Sequence, residues 1–199
     1  MKINRIIGTT LLTGLALALT GCVVTSVYPF YSEKDVAFEP ALVGNWKKAD
    51  QPDEHWKFER AGGNGYRITS ESGDKTNVFQ GHVFKLQGQT FLDLTTTGWK
   101  EDIQPEPVPS HFLARIVQLT PTVKLSAMTY DWLKALLAKE PKALRHIVIE
   151  TGEKPDDRRL VLTADTADLQ QFVVRHLKTE SAWETSVELL PDPASSRSR

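Results

Sequence analysis

The sequence holds one cysteine, two methionines and no excess of basic charge. A single cysteine excludes an internal disulfide, a Cys-x-x-Cys redox pair and a cysteine-built zinc centre. Lys and Arg number 24 against 25 Asp and Glu, a formal net charge of −1. That leaves no positive surplus to neutralise phosphates, so no nucleic-acid partner is expected. No apolar run reaches the roughly 20 residues that a membrane-spanning helix needs. The five histidines, His55, His82, His111, His146 and His176, are too far apart for an HxH or HExxH ligand pair. The Gly-x-Ser-x-Gly turn of many serine hydrolases is absent. No metal, cofactor or catalytic residue is therefore expected, and the chain does not read as an enzyme. The carboxylate runs Asp50-Gln51-Pro52-Asp53-Glu54 and Asp156-Asp157 have no catalytic partner spacing and read as loop-solvating charge. At 199 residues, 40% hydrophobic and 25% charged, the composition is that of one ordinary folded domain with tails.

What is present begins at the N-terminus. Lys2 and Arg5 form a short positive segment, and Ile6 to Leu19 is apolar or small. As a helix this run reaches about 21 Å at about 1.5 Å per residue, short of a bilayer core of about 30 Å. It reads as the hydrophobic region of a secretory signal. Leu19-Thr20-Gly21-Cys22 follows and resembles a bacterial lipobox. That resemblance implies cleavage before Cys22 and lipid attachment to its thiol. The chain would then be a lipoprotein with a membrane as partner, since two or more acyl chains anchor stably where one does not. Residue 23 is Val rather than Asp, which resembles the default for export to the outer membrane of a Gram-negative cell, on its periplasmic face.

The organisation expected is a signal peptide over 1–21, a lipidated tether over 22–40, a β-rich domain over 41–190 and a disordered tail over 191–199. In the tether, Tyr28-Pro29-Phe30-Tyr31 either docks on the domain or sits at the membrane interface, where amphipathic rings are favoured. Beyond Pro40 the pattern has period two. Trp56 and Phe58 alternate with Lys57 and Glu59, and Tyr66-Arg67-Ile68-Thr69 repeats the pattern. Between them Gly62-Gly63-Asn64-Gly65 reads as a hairpin turn, with Asn64-Gly65 supplying positive φ, and not as a phosphate loop. Further strands are expected at Asn77 to Leu86, Thr90 to Thr95, His111 to Leu119, Thr122 to Met128, Arg145 to Glu150, Arg159 to Thr163 and Trp183 to Leu189. A proline-rich loop, Pro105 to Pro109, interrupts the series. Two helices are expected, Asp131 to Lys139 and Thr166 to Lys178, the second capped by Thr166 and striped by Leu169, Phe172, Val173, His176 and Leu177.

Nine or ten strands with short turns predict a mainly β fold. The expected architecture is an antiparallel up-and-down β-barrel, or a strongly curled meander, with two accessory α-helices; barrel closure removes exposed edges. Leu42-Val43-Gly44-Asn45-Trp46 resembles the Gly-x-Trp start of a lipocalin or wider calycin barrel. The resemblance implies that Trp46 closes the barrel base. The later lipocalin motifs are not evident. Tyr28 to Tyr31, Tyr130-Asp131-Trp132-Leu133 and Leu162 to Thr166 also look like a group of uncharacterised bacterial lipoproteins, which implies no particular activity.

Two functions follow as expectations. One is a structural or interaction domain that contacts an envelope protein through its loops. The other is lipocalin-like binding of a small apolar or amphipathic ligand inside the barrel, lined by Trp46, Trp56, Phe58, Tyr66 and Arg115. Arg115 enters that lining only if Leu113, Arg115 and Val117 face inward; if Phe112, Ala114 and Ile116 do, Arg115 is wet. The ligand reading needs a cavity of at least about 300 Å³.

Overall fold

The computed structural model describes residues 24–96, 110–150 and 158–193. The signal segment, Cys22, the proline-rich loop at Pro105 to Pro109, and residues 194–199 lie outside the described residues.

The alternation beyond Pro40 becomes a meander of antiparallel strands. These are β3 (Gly44–Lys48), β4 (Glu54–Arg60), β5 (Gly65–Ser72), β6 (Lys75–Leu86), β7 (Gln89–Thr96), β8 (His111–Gln118) and β9 (Val123–Met128). The last strand, β12 (Trp183–Pro191), enters between β9 and β3, and β8 pairs with β9. Eight antiparallel strands thereby close a calycin-like barrel, and the expected fold class holds. At the β4–β5 turn the positive-φ pair is Gly63 (63°) and Asn64 (59°), one residue earlier than Asn64-Gly65. Gly65 instead opens β5, where a Cβ would lie 3.1 Å from the Gly62 carbonyl oxygen.

Residues at alternate positions fill the barrel. Phe58, Tyr66, Ile68, Val83, Leu92 and Leu125 are all buried there. Each such side chain contributes about 1.5–3 kcal/mol on leaving water. Cross-strand register stacks the aromatics: Trp46 opposes Trp56, and the Trp56 ring lies 6.3 Å from Phe79 at an interplanar angle of 3°. Gly81 shows how tight this packing is. A Cβ there would meet Ile68 Cδ1 at 2.6 Å and Leu92 Cδ1 at 3.3 Å.

A second core lies outside the barrel wall. Here α1 (Tyr130–Lys139) and α2 (Thr166–Arg175) pack through Leu133, Leu137, Leu169 and Phe172 against Phe84, Phe91 and Leu113. A side sheet completes this layer. β1 (Thr25–Ser26) pairs parallel with β11 (Arg158–Leu162) and antiparallel with the first residues of β8, and β10 (His146–Glu150) pairs with β11. β2 (Val36–Ala37) pairs with β6. The α2 cap is Asp165, which accepts from the Asp168 amide at 3.0 Å, and not Thr166. Thr166 Oγ1 donates elsewhere, to the Pro29 carbonyl at 2.8 Å.

Both ends of the domain extend past their expected limits. Residues 24–40 are not a free tether: Val24 and Phe30 are buried in the second core, and residues 25–26 form a strand. At the other end, β12 runs through Pro191, and the Asp192 amide donates to Asn45 O at 2.9 Å. The start of the expected tail is therefore part of the barrel.

Replacing Gly81 by Ala overfills the interior, an error that typically costs about 1–3 kcal/mol. Urea denaturation is expected to show that loss for G81A, and I68V, which shortens the opposing side chain, is expected to restore part of it.

Candidate functional site

A buried polar cluster forms where β7, β8 and the N-terminal segment meet. Along β7, Leu92 points into the barrel, so Asp93 points to the outer wall with Phe91. Residues 29–31 cover it, and Asp93 is 0% exposed. A carboxylate buried this deeply requires donors. Its Oδ2 accepts the Phe30 amide at 2.8 Å. Its Oδ1 lies 2.8 Å from His111 Nδ1 and accepts Thr95 Oγ1 at 3.5 Å. A carboxylate only accepts, so His111 Nδ1 carries the proton.

His82 stands opposite Asp93 on β6, with Tyr31 stacked on it at a ring-centroid distance of 4.4 Å. Burial lowers the His82 pKa below its usual 6.5; Asp93 and Glu33 pull the other way, and His111 adds to the lowering. The Tyr31 pKa is raised by burial and then by the charges of Asp93 and Glu33. The N-terminal segment is gripped from its other side by α2. Gln170 Nε2 donates to Phe30 O at 3.0 Å and to Asp35 Oδ2 at 3.1 Å.

Chemically, an Asp–His pair of this kind orients an imidazole. Acid–base catalysis also needs a reacting group at its other nitrogen. Here Asp93 and Thr95 both meet Nδ1, Thr95 at 3.1 Å, and no described residue bonds Nε2. Among the described residues no group of three His, Cys, Asp or Glu is placed to hold a metal. The arrangement is a clamp: one buried carboxylate ties the N-terminal segment to two barrel strands.

The residues expected to line a ligand site divide. Trp46, Phe58 and Tyr66 are in the barrel interior, and Trp56 packs against them half-buried. Trp46 Nε1 donates to Leu42 O at 2.9 Å, holding the short helical turn Pro40–Leu42 that leads into β3. Arg115 is elsewhere. Ala114 and Ile116 face inward, so Arg115 lies on the outer wall with Phe91, its partner in register. It is neither a lining residue nor fully wet. Its Nη2 donates to Gln89 Oε1 at 2.5 Å and its Nη1 to Leu177 O at 3.4 Å, while Nε is buried without a partner. The carbonyls just past the C-terminal end of α2 suit a cation there.

Of the other histidines, His55 Nδ1 lies 2.9 Å from Asp192 Oδ2, His146 Nδ1 donates to Leu144 O at 2.8 Å, and His176 packs on Phe172 and Trp132. Asp93 has one sequence signal, an acid inside the otherwise apolar Phe91-Leu92-Asp93-Leu94. Nothing local separates that from a wet-face residue.

Asp93→Ala leaves the buried Phe30 amide without an acceptor, at about 1–3 kcal/mol, and leaves His111 Nδ1 with Thr95 Oγ1 alone. The expected result is a lower urea midpoint together with faster proteolysis between residues 27 and 35; an unchanged cleavage pattern would mean that the clamp does not hold the segment. His82 sets a second expectation. Its folded pKa is below the unfolded 6.5, so between those values the unfolded chain binds more protons. The stability is present above about pH 6.5 and is lost as pH falls from there through the folded value. His176, lowered by burial and then by Arg175, acts in the same sense. Denaturation midpoints are expected to fall from pH 7.5 to 5.5, with a smaller slope in H82Q.

No family model, curated protein or solved structure matches this chain. The geometry of the clamp and of the filled barrel is what bears on function.

Proposed function

We propose that the protein is a lipoprotein of the bacterial cell envelope, anchored by lipid on Cys22, whose solid barrel works by surface contact with another envelope protein. In a Gram-negative cell its place is the periplasmic face of the outer membrane. The packed interior carries the surface-contact reading. Space for an apolar ligand begins at about 300 Å³, whereas the interior residues Leu42, Tyr66, Ile68, Val83 and Leu92 are 0% exposed, packed on one another. A surface depression of about 160 Å³ lined by Lys142, Arg145, Asp168 and Arg175 is outside the barrel, small and charged.

The lipobox supports the anchor, and the clamp gives it a mechanical meaning. Two residues of extended chain reach about 7 Å. Cys22 thus stays within that distance of Val24, which is 5% exposed in the second core. A lipid on Cys22 would hold the folded domain close against the bilayer, not on a long leash. Arg145 Nη2, which bonds Asp165 Oδ2 at 2.9 Å and Asp168 Oδ2 at 3.2 Å, is one exposed ionic cluster that a protein partner would meet.

Cys22→Ala is expected to abolish incorporation of a palmitate analogue and to move the protein from the membrane to the soluble fraction. Persistent labelling would refute the anchor. Native mass spectrometry of the full chain is expected to show no stoichiometric apolar ligand beyond the attached acyl groups. A reproducible extra ligand would overturn the surface reading in favour of a binding barrel.

A further inference from the structure

We infer that β10 is a pairing edge for a second copy of this chain. β10 pairs only with β11 among the described residues, none of which bonds the backbone donors and acceptors of its outer edge. Natural edge strands are usually protected by lysine, proline, a bulge or a cover. This one carries none of these within His146–Glu150. Its centre is Ile147, Val148 and Ile149, exposed by 49%, 54% and 43%. Three consecutive β-branched residues on an open edge form an unusually adhesive strand.

The sequence of the strand selects the occupant. Laid antiparallel on its own copy about a two-fold axis at Val148, it places Ile147 opposite Ile149 and His146 opposite Glu150, each pair occurring twice. Apolar residues meet at the centre and groups able to carry opposite charge meet at both ends, as favourable cross-strand pairs require. The pairing is isologous and therefore closes at two copies. A one-residue slip would turn each side chain to the other face. Glu150 also stands opposite Arg158 on its own sheet, which leaves its place in this register unchanged. A lipid surface fits less well. Hydrocarbon cannot satisfy the open edge, and each unsatisfied backbone group there costs several kcal/mol.

The inference does not depend on the lipid anchor, and disulfide trapping in the full chain tests it. Opposed Cα atoms in an antiparallel pair are about 4.5–5.5 Å apart, inside the disulfide range of about 4.4–6.8 Å. Val148→Cys is therefore expected to give a linked dimer on oxidation, several-fold above the exposed control Lys142→Cys. Ile147→Cys and Ile149→Cys, each about 8 Å from its own copy, are expected to link poorly alone. Co-expressed, the two are expected to link to each other. Adding His146→Glu to Val148→Cys sets like charges opposite and is expected to reduce the yield several-fold.

Equal yields at all positions would overturn the inference, as would no dimer, attachment of Val148→Cys to a different protein, or labelling of residues 147–149 by a lipid-borne photoprobe. The pattern can be read whether the protein is in the membrane or the soluble fraction, so failure of the anchor and failure of the pairing are distinguishable.

Discussion

Strand β8 has one edge on which two neighbours must fit. Residues from Ala114 onward pair with β9 and close the barrel, while His111 and Phe112 pair with β1. The sheet divides at that point. One branch curls into the barrel and the other runs out through β1 and β11 to β10. Both cores follow from this fork: the barrel interior fills on the concave side, and the second core fills the angle between the barrel wall and the side sheet, roofed by the two helices. Asp93 sits beside the fork. From β7 of the barrel its carboxylate holds His111, where β8 pairs with β1, and Phe30, just after β1. A buried charge is an expensive device unless fully bonded. Here its oxygens meet three donors, which makes the junction specific.

On the concave side of the fork the barrel is filled by its own side chains. In a hollow barrel of eight strands, the interior is left to a ligand; in a filled one, side chains occupy it. Here side chains of the barrel's own strands and of the turn before β3 occupy it. Leu42 enters from the turn before β3, Tyr66 bridges to the Glu39 backbone, accepting its amide at 2.6 Å, and Gly81 provides the missing volume opposite Ile68. Aromatic richness in the strands is thus spent on packing. The same residues that suggested a lined pocket, Trp46, Phe58 and Tyr66, are the filling.

Local patterns carried most of the barrel. Alternation in Trp56 to Glu59 and the stripe Leu169, Phe172, Val173 are properties of a few consecutive residues, and both elements stand where those patterns place them. Contacts between distant parts of the chain were not legible. Asp93 is buried by Phe30, 63 residues away, and nothing in Thr90 to Thr95 signals that cover. A strand of two residues, Thr25–Ser26, has no period to read. Arg115 stayed open between two faces because its strand is apolar on both, as a wall between two cores must be; no alternation then tells inside from outside. The cap of α2 turned on adjacent oxygens, Asp165 and Thr166, and a distant carbonyl, that of Pro29, took the threonine.

The rigid N-terminal attachment and the open β10 edge bear on each other. A five-residue strand pair buries far less than the roughly 1,200–2,000 Å² of a standard stable interface. Free in solution, such a pairing is short-lived, yet oxidation still traps it when a cysteine stands at its axis. Confinement changes the balance, because tethering converts a bimolecular encounter into one governed by effective concentration. A long flexible leash would dilute that gain over many orientations. The clamp allows little such freedom, since Val24 and Phe30 are fixed in the core. Two strands at about 4.8 Å spacing put β10 about 10 Å from β1. Copies anchored at Cys22 would therefore carry their β10 edges at one height above the bilayer and in a narrow range of orientations, conditions in which a small self-complementary edge is enough.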